Sequence, residues 1–198
     1  MKQIKFIAIL FLATCLFASC HNNDGPSKDM VKKMKETAQN WMPYLSDNYQ
    51  VGDSVYFLRT DLATQETQVE GFLVAVSEFG ETGYEQEDDP SNYEDEENTN
   101  FSNVVDGYMD VAILKSKNIE LNISLYSTYN SDTKNLMEIC SLAVLGENYV
   151  PCLEVSHMTI DEDYMTVTSC SDKCTMQRNV GIIRFSNDQY SWKLIEKN

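Results

Sequence analysis

The sequence predicts a mainly β chain, an antiparallel sandwich or partly open barrel preceded by one short N-terminal helix. Three observations carry this. Apolar and polar residues alternate from Tyr44 to the C-terminus, the runs are joined by short connections, and helical spacing of apolar residues is confined to the stretch before Pro43. The composition agrees: 198 residues, 42% hydrophobic, with 8 Gly and 4 Pro, fit one globular domain and exclude collagen, coiled coil or wholesale disorder. With 31 acidic against 15 basic residues and a net charge of -16, the chain is repelled by phosphate backbones, so no nucleic-acid partner is expected.

The helix is expected over 28–42, where Met30, Met34, Ala38 and Trp41 recur on one face, Ser27 supplies an N-cap and Pro43 a stop. Its lysines, Lys28, Lys32, Lys33 and Lys35, outnumber Asp29 and Glu36. Two uses compete for it, packing of the apolar stripe against the domain and contact of the basic face with anionic headgroups; packing is the commoner use of such a stripe. Strands are then expected over 54–59, 68–76, 109–113, 119–126, 136–145, 150–160, 164–169, 176–185 and 190–195. The clearest is 119–126, where Ile119, Leu121, Ile123 and Leu125 alternate with Glu120, Asn122 and Ser124, and where Met109, Val111 and Ile113 form the other arm of a hairpin. One long interruption, 80–103, carries nine acids and no base between Glu81 and Glu97. It is expected to be an acidic loop, because such charge density resists burial.

The first twenty residues give an address. Lys2 and Lys5 precede an apolar run from Phe6 to Phe17, then Ala18 and Ser19, the order of a secretory signal peptide. The run is shorter than the roughly 20 apolar residues of a membrane-spanning helix. Phe17, Ala18, Ser19 and Cys20 resemble a bacterial lipobox, which implies removal of 1–19 and acylation of Cys20. Residues 20–27 read as a tether and 28–198 as a single β-rich domain. By the same resemblance, His21 in place of Asp favours the outer membrane. A single acid among His21, Asn22, Asn23 and Asp24 favours its periplasmic face over surface export. The stretches WMPYLSDNYQVGDSVYF and GIIRFSNDQYSWKLI are similar to small uncharacterised lipoproteins of Bacteroidetes bacteria. That resemblance implies an anchored β domain whose last strands carry an aromatic pair, here Phe185 and Trp192, and it carries over no catalytic residue.

Four cysteines besides Cys20 lie in the mature chain, in a compartment that permits disulfides. Cys170 with Cys174 and Cys140 with Cys152 each flank a turn-like stretch, so a bridge across each hairpin is expected. A four-cysteine zinc site would need two close pairs, and one is present. His157 is the histidine available to a catalytic dyad, but a lone strand histidine is more often an ordinary surface residue. No catalytic residue, cofactor or metal is expected. In the acidic loop Asp88, Asp89, Glu94 and Asp95 offer oxygen ligands for calcium, without the acid spacing or glycine of an EF-hand. Asp53, Ser54 and Val55 resemble the Bacteroidetes O-glycosylation signal, which would modify Ser54. The expected role is a membrane-anchored envelope lipoprotein, a non-enzymatic binding or structural module whose partner is the membrane through its lipid and, beyond it, a glycan or envelope protein. The alternatives are a glycan-binding surface lipoprotein, suggested by eleven tyrosines and two tryptophans beside many acids, and a carboxylate-dependent hydrolase.

Overall fold

The computed structural model describes residues 25–87, 101–146 and 156–197; the signal, the lipobox and the centre of the acidic segment lie outside them. Helix α1 (Lys28–Gln39) is capped as expected, Ser27 Oγ accepting from the Met30 amide at 3.2 Å. It ends three residues earlier than the sequence spacing predicts. The chain tightens at Trp41, whose amide donates to Ala38 at 3.0 Å, and Pro43 lies in the first turn of a 3-10 helix (Met42–Tyr44), where its missing N–H costs nothing. A second 3-10 turn (Ser46–Asn48) leads into the sheet. Met34, Ala38 and Trp41 are buried and the four helix lysines are exposed, so the apolar stripe packs on the domain.

Among the described residues ten strands follow: β1 (Ser54–Asp61), β2 (Thr67–Glu87), β3 (Phe101–Lys115), β4 (Glu120–Asn130), β5 (Asn135–Leu145), β6 (His157–Asp161), β7 (Tyr164–Ser169), β8 (Asp172–Gln177), β9 (Gly181–Ser186) and β10 (Tyr190–Lys197). They form one antiparallel sheet in the order β5-β4-β3-β2-β1-β10-β9-β8-β7-β6. Two five-strand meanders are thus joined through β1 and β10, and the sheet curls until it is nearly closed into a barrel. Across the seam the Val144 amide of β5 donates to Asp172 Oδ2 of β8 at 2.9 Å, so an edge N–H is satisfied by a side chain. Burial pushes the pKa of Asp172 up, and that amide bond opposes the rise.

Two expectations change most, and a third falls partly outside the described residues. The segment 80–103 is not loop throughout: β2 runs to Glu87 and β3 begins at Phe101, paired from Gly80↔Met109 to Glu87↔Phe101 with one bulge between Thr82 and Gly83, because ladder hydrogen bonds hold residues whose charge alone would favour a loop. Residues 176–185 divide into β8 and β9 at the turn 178–180, where Asn179 takes φ of +60° and Gly181, opening β9, φ of +91°. The strand expected over 150–160 is described only as β6, since 150–155 lie outside the described residues.

Cross-strand register explains the core. Val55 faces Phe72, Leu114 faces Leu121, Val167 faces Cys174 and Phe185 faces Trp192, and all eight side chains are buried. On β3 the inward set is Asp110, Ala112 and Leu114. Met109, Val111 and Ile113 lie on the other face, and apolar residues on both faces leave alternation unable to choose between them. Phe57, Phe72 and Phe185 meet edge to face at centroid distances of 5.1 to 5.6 Å, and Phe185 stacks on Trp192 at 4.6 Å and 8°. The two residues expected as the terminal aromatic pair are therefore in contact. Each such ring contributes about 2 to 3 kcal/mol by burial, and each aromatic contact about 0.5 to 1.5 kcal/mol more.

The segment between α1 and β1 is tied to the β8–β9 turn. Tyr44 Oη donates to the Glu162 carbonyl at 2.9 Å, Arg178 lies over the Tyr44 ring, and the Asn179 amide donates to the Pro43 carbonyl at 2.6 Å. The Ile182 amide donates to buried Tyr49 Oη at 2.6 Å, and burial pushes that phenol's pKa up. A side chain at Gly181 would place its Cβ 2.5 Å from the same oxygen, at a φ that L residues rarely adopt. Gly181→Ala should therefore lower stability by about 2 to 4 kcal/mol, and Tyr49→Phe, which orphans a buried amide, by about 1 to 3 kcal/mol. Urea unfolding checks both, and a Gly181→Ala protein as stable as the parent would contradict the packing described.

Candidate functional site

A shallow depression of about 290 Å³ opens where β1, β2 and the β3–β4 turn meet, lined by Ser54, Tyr56, Gly71, Phe72, Leu73, Lys115, Ser116 and Lys117. Its centre comes from one register pair, Tyr56 opposite Gly71. The Tyr56 ring leans over the glycine so closely that a Cβ there would lie 3.1 Å from a ring carbon, so glycine is what lets the ring settle onto the sheet. The pairing of β1 with β10 slips between Tyr56 and Phe57, a bulge beside this ring. Leu73 and Val69, on the same outer face of β2, are 51% and 64% exposed. Lys115 is bridged to Glu120 at 3.1 Å, and Lys117 stands exposed in the turn. Ser116 holds that turn by accepting from the Ile119 amide at 3.1 Å. The depression thus offers a half-buried ring, two hydroxyls and two cations on a chain that is otherwise acidic.

Ser116 also connects the depression to the interior, because its Oγ donates to Glu70 Oε1 at 2.7 Å. The other Glu70 oxygen accepts from Trp192 Nε1 at 2.8 Å and lies 3.9 Å from Arg59 Nη1. Arg59 in turn covers the Tyr190 ring at 4.7 Å. This carboxylate is committed to structure: both oxygens are held, and it satisfies the indole N–H of the core tryptophan. The second inward carboxylate, Asp110, lies on β3 beneath the Ser46–Asn48 turn, and burial pushes its pKa up to about 6. A hydrolase of paired carboxylates needs two acids across a cleft open to substrate. Glu70 is fully engaged and Asp110 is fully buried, so they do not supply that arrangement.

The residues singled out in the sequence fall as follows. Ser54 is half-buried in β1 at the rim of the depression. His157 opens β6, exposed, its carbonyl accepting from Thr168 Oγ1 at 3.5 Å, away from the depression. Cys20, Cys152, Asp88, Asp89, Glu94 and Asp95 lie outside the described residues, and among those described no three His, Cys, Asp or Glu are placed to hold a metal. Both expected disulfides are corrected. Cys140 and Cys174 are free buried thiols, so neither 140 with 152 nor 170 with 174 is bridged. The turn of the β7–β8 hairpin is Cys170 and Ser171, not residues centred on Asp172, so Cys174 faces Val167 inside the core while Cys170 sits exposed at the tip with φ of +50°. Cys170 is disulfide-bonded, with neither of those two thiols as its partner. Burial alone pushes the Cys174 thiol's pKa up, which suppresses its thiolate.

Sequence reasoning did not find Tyr56 with Gly71, nor Glu70. The available signal was Gly71 inside a strand pattern, which marks close approach of another group. The thiol assignment is open to direct measurement. In the native protein Cys140 and Cys174 should resist alkylation and react on unfolding, and non-reducing peptide mapping should find no link between 170 and 174. Recovery of that linked peptide would contradict the hairpin register. Comparison of this chain with protein-family models, curated proteins and solved structures finds no match.

Proposed function

We propose that this chain is a lipid-anchored envelope lipoprotein of the outer membrane, on its periplasmic face, whose barrel is a non-enzymatic binding module with its ligand surface on the outside of β1 and β2. The ordered signal ending at Cys20 supports the anchor. The observation that carries the binding role is the Tyr56 ring laid over Gly71 in an open depression with Ser54, Ser116, Lys115 and Lys117 around it. A saccharide suits this surface: the C–H face of a sugar ring stacks on an aromatic ring, and its hydroxyls exchange hydrogen bonds with serine hydroxyls and lysine ammonium groups. Among the described residues, Phe57, Phe72, Phe185 and Trp192 fill the interior at the β1–β10 junction.

Two experiments test the two halves separately. Cys20→Ala should move the protein from the membrane to the soluble fraction, because the helix lysines alone hold a strongly acidic body weakly; sedimentation of this variant with membranes in high salt would overturn the anchor. For the ligand, a panel of envelope polysaccharides and oligosaccharides is bound to the mature domain and to Tyr56→Ala. Loss of one stacking contact, about 0.5 to 1.5 kcal/mol, should weaken the bound saccharide roughly 2- to 13-fold with the fold intact. Equal affinity of parent and variant would place recognition elsewhere, and no binding across the panel would overturn the saccharide reading.

A further inference from the structure

Asp110 is the least satisfied polar group in the described core. The residue is 0% exposed, and among the described residues neither carboxylate oxygen has a well-formed hydrogen bond. It points inward from β3, with Phe79 of β2 on one side and Leu125 of β4 on the other. Above it lies the Ser46–Asn48 turn. The Ser46 amide and hydroxyl are the donors beside the carboxylate, yet the hydroxyl is itself buried without a formed hydrogen bond. The turn is held to β2 from the other side, where Ser77 Oγ donates to the Ser46 carbonyl at 3.1 Å. Buried residues flank it in the chain, Trp41, Tyr44 and Leu45 before it and Tyr49 after it, and helix α1 leads directly into it.

A buried anion with only Ser46 donors nearby and no well-formed hydrogen bond is costly, and removing the charge or admitting water relieves it. We propose that Asp110 is a pH-responsive latch for the strap formed by α1 and the two 3-10 turns: with its carboxyl neutral the strap stays closed on the inner face of β2 and β3, and with the carboxylate ionised the equilibrium shifts toward opening. The charges around it favour this direction. From the turn, Asp47 adds a like charge. On β2, Glu81 accepts from Tyr108 Oη at 2.9 Å, while Lys35 of α1 lies over the Tyr108 ring at 5.8 Å rather than beside Asp110. From β4 come Leu125 and Ser127, both uncharged, and Glu138 of β5, opposite Ser127, is exposed. Among the described residues no lysine or arginine is bonded to the carboxylate. Opening the strap would uncover the apolar inner wall, including Ala112 and Leu125, without disturbing the β1–β10 junction.

The sign follows from burial. The folded-state pKa of Asp110 is raised from 3.8 to about 6, so the closed state is most favoured below 3.8 and loses its advantage as pH rises through 6. If opening restores the ordinary carboxylate pKa, the opening constant should rise about tenfold between pH 5 and pH 8. Hydrogen exchange, corrected for the intrinsic pH dependence, reads this at the amides of Tyr44, Asn48 and Tyr49, which donate within the strap. Their protection should fall about tenfold while amides of β7 and β8 stay constant, and Asp110→Asn should abolish the change. Constant strap protection in the parent, or an unaltered pH dependence in Asp110→Asn, would overturn the latch. Should that variant fail to fold, Asp47→Asn, a change at an exposed residue, provides the second reading. Removing the like charge should move the midpoint to lower pH, and an unmoved midpoint would count against the proposal.

Discussion

The pairing of β1 with β10 is the contact on which the rest of the molecule depends. It joins the meander β1 to β5 to the meander β6 to β10, and without it each would be an open sheet with an apolar face in water. The aromatic cluster sits at that junction: Phe57 comes from β1, Phe72 from β2, Phe185 from β9 and Trp192 from β10, so each ring belongs to a different strand. Non-local pairing of this kind carries a loop-closure entropy that local hairpins do not. Four interlocked rings and the Trp192 Nε1 bond to Glu70 are what offset it here.

The same junction decides which surface is available to a ligand. Side chains of strands and strap fill the inside of the barrel, and the polar groups admitted there are mostly tied down. Glu70 is shared between Trp192, Ser116 and Arg59, and Tyr49 accepts from Ile182. Asp110 is the charged exception, and the hydroxyls of Ser46 and Ser127 are also buried without a formed bond. Function is therefore proposed for the outer face, where the bulge in β1, the bare Gly71 and the β3–β4 turn make a depression that regular alternation would not produce.

Much of this architecture was legible in the sequence because one face of each strand is buried and period two records it. Ile119 to Leu125 shows the pattern most clearly, and the helix was readable from Ser27, Met34, Ala38 and Pro43. Alternation failed where both faces are apolar, as in β3, and where charge and hydrogen bonding compete, as in Glu81 to Glu87, which composition marks as loop and the ladder holds as strand. The cysteines were misassigned for a related reason: spacing alone cannot locate a hairpin's turn, and a shift of the centre from Asp172 to between Cys170 and Ser171 sends Cys174 into the core. The depression depends on Tyr56 meeting Gly71 across fifteen residues of sequence, a register that no local signal encodes. Neither the anchor at Cys20 nor the acids from Asp88 to Asp95 lies within the described residues, and both rest on the sequence.

The central claim is that ligand meets the outer face of β1 and β2 and leaves the aromatic interior untouched. Amide and side-chain chemical-shift mapping of the mature domain during titration with a bound saccharide tests it most directly. The account predicts shifts confined to Ser54, Tyr56, Gly71, Leu73 and the 115–117 turn, with the indole resonance of Trp192 unmoved. Large shifts at Trp192 and Phe185 with Tyr56 silent would show an interior ligand and contradict it.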